Sequence, residues 1–173
     1  MCSSDLCEVF KIEPDYEKIA DGITVKTAEK LEQEHGLILV GIGGQMMHDI
    51  QMMSMSFFLY HEVSLEEARK LIVYSVEEYL SNINSNEKIR PYLHEYPFTA
   101  KNVEVWLWLY DIDHFNLPKG TIHHVLAENE TISYFIKGEK RRKTLHEESY
   151  EQAKSLVFAR NKHALSEKGF ETQ

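Results

Sequence analysis

Two periodicities run through the chain. In residues 50–60, Met53, Met55, Phe57 and Leu59 alternate with Ser54, Ser56, Phe58 and Tyr60, the two-residue period of a strand with one buried face. After Ser64 the period lengthens. Ala68, Leu71, Ile72, Ser75, Val76, Tyr79, Leu80 and Ile83 recur at helical spacing, and Ser64-Leu-Glu-Glu67 matches the capping box that would start such a helix. Residues 24–35 also read as a helix, capped by Thr24 and stopped by Gly36, with a strand expected at 37–42.

Residues 103–110 form a third strand in this reading. Val103, Val105, Leu107 and Leu109 occupy one face and Trp106, Trp108 and Tyr110 the other, so a central position with Leu71, Val76 and Leu80 over one face is expected. Residues 121–126 and 131–136 suggest a hairpin turning at Glu128-Asn129-Glu130, and Thr144-Leu-His-Glu147 would open a last helix through about Arg160. The order α-β-β-α-β-β-β-α, with strands joined by turns rather than crossover helices, predicts an α+β fold: a single two-layer domain, an antiparallel sheet with packed helices. Residues 1–20 are expected to be an N-terminal tail or tether, 21–165 the domain and 166–173 a C-terminal tail.

Composition changes this picture only by exclusion. A chain of 173 residues, 43% apolar and 27% charged, can bury a core without staples. Its formal net charge of −9 argues against nucleic acid as a partner. The one basic cluster, at 137–143 (KGEKRRK), reads as a solvated loop. No apolar run reaches the roughly 18 residues of a membrane span. Cys2 and Cys7 cannot staple the body of the fold and have no zinc-site spacing. Cys2-Ser3-Ser4-Asp5 does match the start of a mature lipoprotein, which would place the protein at a membrane through a Cys2 lipid anchor; without that modification it would be cytoplasmic.

The stretch GIGGQMMHDI, residues 41–50, resembles a phosphate loop, but a nucleotide site needs its glycines to lead from a strand into a helix. Here they lead toward another strand, with no Lys-Ser/Thr following. Gly43-Gly44 is therefore expected to be a turn, and Met46-Met47-His48-Asp49 a hairpin tip. His146-Glu147-Glu148-Ser149-Tyr150 falls one histidine short of the zinc-protease motif and reads as a helix start. Asp111, Asp113 and His114 at a strand end, with His123 and His124 on the next strand, are the right ligand types for a metal, although adjacent strand residues should face opposite ways.

Three stretches, GIGGQMMHDI, INSNEKIRPYLHEYPFTAKNVEVWLWLYD and ESYEQAKSL, together resemble a family of small proteins from intracellular bacteria, some of them described as lipoproteins. The resemblance implies a single domain, exported and anchored through Cys2, and implies no reaction, ligand or active-site residue.

Two functions compete on these grounds. One is a non-enzymatic binding or interaction domain for a protein, peptide or lipid partner, needing no cofactor. Its site would be a cleft where Arg90, Tyr92, Tyr96 and Phe98, stiffened by Pro91 and Pro97, wrap over Trp106 and Trp108. The other is a hydrolase or metal-dependent enzyme built on Asp111, Asp113, His114 and His123. The gathering of aromatics, prolines and methionines outside regular elements, with no complete catalytic set, favours the first.

Overall fold

A computed structural model describes residues 15–113 and 117–167. Cys2, Cys7 and His114, each part of an expectation above, lie outside them. The described residues form an α+β domain of three helices packed on a six-stranded, mostly antiparallel open sheet. In order, the elements are α1 (Tyr16–His35), β1 (Ile38–Gln45), β2 (Met52–Leu59), α2 (Leu65–Ser85), a 3₁₀ turn at Arg90–Tyr92, β3 (Val103–Leu109), β4 (Ile122–Glu128), β5 (Thr131–Lys137), β6 (Arg142–Ser149) and α3 (Tyr150–Glu167).

The strands lie side by side in sequence order. One pair departs from the expected antiparallel pattern. β2 and β3 run parallel, Met53 beside Val103 through Leu59 beside Leu109, because α2 carries the chain back along the sheet between them. A parallel neighbour requires such a crossover. α2 begins where the sequence says, with Ser64 and Glu67 exchanging both capping-box hydrogen bonds.

α1 packs against β1 and β2, α2 against β3 and β4, and α3 against β5 and β6, while α2 also touches both other helices. Under them lies a core of Met53, Met55, Phe57, Val105, Leu107, Val125, Ile132 and Tyr134, each essentially without solvent contact. Val76 is buried in the same cluster, and Leu71 and Leu80 pack against it. Polar pairs set α1 on α2: Thr24 Oγ1 and Tyr79 Oη at 2.7 Å inside the core, and Asn82 Nδ2 donating to Thr27 Oγ1.

Three further expectations need correction. Gly43 and Gly44 are not a turn but continue β1 to Gln45, and neither has a positive φ. What glycine supplies there is closeness, since a Cβ on Gly44 would lie 2.6 Å from the Met52 carbonyl oxygen. Residues 16–20, assigned to the tail, form the start of α1, which Asp15 rather than Thr24 caps; Ala20 is buried, and Tyr16 donates a 2.8 Å hydrogen bond to the Met46 carbonyl. Finally, 142–149 form a strand rather than the start of the last helix, so the basic cluster straddles a β5–β6 hairpin. α3 starts at Tyr150, where Ser149 and Gln152 exchange the two hydrogen bonds of a second capping box.

The β4–β5 hairpin turns as the sequence suggests. Asn129 and Glu130 both take positive φ, the conformation that a two-residue turn matching the strand twist demands.

Candidate functional site

Side chains alternate across β3, so Trp106 and Trp108 stand on the face of the sheet opposite Val105 and Leu107, away from the helices. Cross-strand register then builds an aromatic row. Phe58 on β2 is beside Trp108 on β3, Trp108 is beside His124 on β4, and His124 is beside Phe135 on β5. The His124 ring stacks 4.8 Å from Trp108 and 4.4 Å from Phe135, with interplanar angles of 25° and 16°. Trp106 stacks on Trp108 at 5.4 Å and 5°, and its indole N–H donates to Glu104. Tyr110 meets Phe58 edge to face. At the far end, the Arg142 guanidinium lies 5.1 Å over the Phe135 ring and joins the row to the basic hairpin.

These rings stack on one another along the row. His124 is buried, 3% exposed, while Phe58, Trp106, Trp108 and Phe135 around it are half-buried. Both of its ring nitrogens are buried without a hydrogen-bond partner among the described residues, as is Nε2 of His123. Burial first, then the positive charge of Arg142 and the neighbouring His123, pushes the His124 pKa down to about 4, so the imidazole is neutral at physiological pH. A bulge between Ile122 and His124 breaks the alternation that should separate the two histidines, and their rings approach to 6.4 Å.

The structure divides the residues expected to share one cleft. Trp106 and Trp108 do come together. Arg90 and Tyr96 form a separate pair, guanidinium over ring at 4.4 Å, while Tyr92 stacks on Tyr16 of α1. Phe98 is buried in the core with Ile89 and Leu93, held by two hydrogen bonds between its backbone and the Asn84 side chain at the end of α2. The connecting segment thus closes the core below the helices instead of wrapping over the tryptophans. Its anchor is a strand-like bridge from Leu93 to Ile50, a non-local contact with no signature in the sequence.

That bridge creates a second, polar site. His94 Nδ1 lies 2.6 Å from Asp49 Oδ2, and this hydrogen bond holds the Asp49 carboxyl below its usual range. Asp49 is therefore partnered by a residue 45 positions away, not by the adjacent His48. His94 lines a cleft of about 380 Å³ together with Glu95, Lys101, Asn102, Glu104 and Glu128. Asn102 donates to Glu95, which lowers that carboxyl as well. Among the described residues, no serine or cysteine lines this cleft.

A third polar group is buried between α2 and β6. Arg69 Nε and Tyr134 Oη both donate to Glu148 Oε1 at 2.7 Å, with His146 Nε2 3.6 Å from the other oxygen. Burial works to raise the Glu148 pKa, but the bonds from Arg69 and Tyr134 outweigh it and hold the carboxyl low. Reading 146–150 as a helix start hid this group.

Asp111 accepts a hydrogen bond from the Asp113 backbone N–H in the turn after β3, and His123 lies at the start of β4. Among the described residues, no group of three or more His, Cys, Asp or Glu side chains is placed to hold a metal ion. Comparison of the chain with protein-family models, with curated proteins and with solved structures gives no match.

Proposed function

We propose that the protein is a non-enzymatic docking module, a two-layer domain in which the sheet face that carries no helix among the described residues receives an apolar protein segment. The observation that carries this reading is the aromatic row with His124 at its base, both nitrogens buried and unpaired. Keeping a polar group in that condition costs about 1–3 kcal/mol, and concentrating aromatics on one sheet face is a composition that binding surfaces share.

Ring orientation narrows the partner. Single-stranded nucleic acid stacks its bases on exposed ring faces. Here Trp106 and Trp108 stack on each other and on His124, which reduces the ring face open to bases and favours interdigitation with side chains of a second protein layer. Arg142 and the hairpin lysines flank the row, which favours a segment carrying acids beside its apolar anchors. Lipidation at Cys2 would hold this module at a membrane, a proposal that rests on the Cys2-Ser3-Ser4-Asp5 start and on the family resemblance alone.

Panning a random-peptide display library against the protein tests the reading. The expected result is enrichment of apolar, acid-containing peptides whose binding is lost in Trp108→Ala. Enriched peptides that bind Trp108→Ala as well as they bind the parent protein would refute it.

A further inference from the structure

The two edges of the sheet differ in kind. β6, at one edge, is RKTLHEES, with an ionisable residue at most positions, the usual protection of an exposed edge against further strand pairing. β1, at the other edge, has no such protection. From Leu37 to Met47 the chain contains no acid, base or histidine, although its net charge is −9. Ile38, Val40 and Ile42 are 39%, 46% and 43% exposed. β1 pairs with β2 on one side, and among the described residues no strand lies on the other. A single bulge between Leu39 and Gly41 is its only irregularity.

We propose that β1 is a self-association edge, at which a second copy of this chain adds its own β1 in antiparallel register. The occupant follows from charge. Two copies of a strongly acidic chain repel over most of their surfaces, and this uncharged strip lets them approach without opposing like charges. It is also self-complementary, since an antiparallel pair of identical strands needs only a two-fold axis. The backbone groups left open on each β1 then satisfy one another, and the exposed Ile and Val side chains are covered. An axis relating adjacent antiparallel strands runs perpendicular to the sheet, so the pairing joins two sheets into one and sets both aromatic rows on the same side. The inference rests on the edge alone and stands or falls independently of the proposed docking face.

Sedimentation equilibrium of the full chain tests it. The parent protein is expected to be a dimer in the micromolar range. Ile42→Lys and Val40→Lys should each weaken self-association by roughly tenfold or more, because like charges are brought face to face. Leu145→Lys, on β6, should leave the dimer intact. A monomeric parent protein, or a dimer indifferent to both β1 substitutions, overturns the proposal. Hydrogen exchange on the parent protein guards against variants that fail to fold: amides in 38–45 should gain protection as concentration rises, and protection independent of concentration would equally overturn it.

Discussion

The imidazole of His124 lies face to face with the Phe135 ring at 4.4 Å, on a strand face that carries no described helix, and neither of its nitrogens meets a hydrogen-bond partner among the described residues. Stacking accounts for where the ring sits, but it does not account for a histidine. Phenylalanine would stack there without burying a polar atom. His124→Phe is therefore expected to raise stability by about 1 kcal/mol or more, the desolvation cost of the unpaired group. Urea unfolding measures this, and a loss of stability would show that the nitrogens are satisfied in the free protein.

The same residue sets a pH dependence. With a pKa of about 4 in the folded chain against an ordinary 6.5, His124 takes up its proton more readily when unfolded. Stability is then fully present above pH 6.5 and falls as pH drops toward 4, by on the order of 3 kcal/mol over the window. His123, lowered by burial and by Lys137, acts in the same direction. Thermal melts between pH 7 and 4.5 should show a declining Tm, and His124→Phe should flatten the decline. An equally steep decline in that variant would remove His124 from the account.

Glu148 offers a separate test of packing. Its side chain is 6% exposed and that of Arg69 15%, so removing either partner strands a buried charge. Arg69→Ala is expected to cost about 3–5 kcal/mol. Glu148→Gln keeps hydrogen-bonding capacity toward Arg69 and Tyr134 and should cost less. Equal losses in the two variants would contradict the view that the hydrogen bonds at position 148, and not charge alone, hold Arg69 and Tyr134 in place.

Leu107 probes the sheet beneath α2. It is 1% exposed, and truncation to Ala should cost about 2–5 kcal/mol. An unchanged melting temperature would contradict the packing of α2 on β3.

What could be read from the sequence was local. The Ser64 capping box, the helical stripe of α2, the alternation of β2 and β3 and the turn at Asn129-Glu130 each need only a few neighbouring residues to be recognised. The misread elements depend on distant ones. β6 has a single buried side chain, Glu148, and is a strand because β5 offers it a ladder, not because its own pattern demands it. The parallel pairing of β2 and β3 was available in principle, since a helix of 21 residues between two strands is the length of a crossover. Ser149-Tyr-Glu-Gln152 was likewise a readable capping signal. No local pattern joins Asp49 to His94, or removes Tyr92 and Phe98 from the tryptophan face; those follow from the Ile50–Leu93 bridge. Trp106 and Trp108 stood out because β3 is apolar on both faces, which leaves one set needing a cover.

Both tryptophans of the chain, Trp106 and Trp108, lie on the proposed docking face, so tryptophan emission, excited beyond the tyrosine absorption band, reports on that face. The most direct test of the account is a fluorescence titration of the native protein with a peptide enriched by panning, run beside calorimetry of the same titration. The account predicts a change in tryptophan emission that saturates with the calorimetric binding curve. Heat of binding with no change in tryptophan emission would place the partner elsewhere and contradict it.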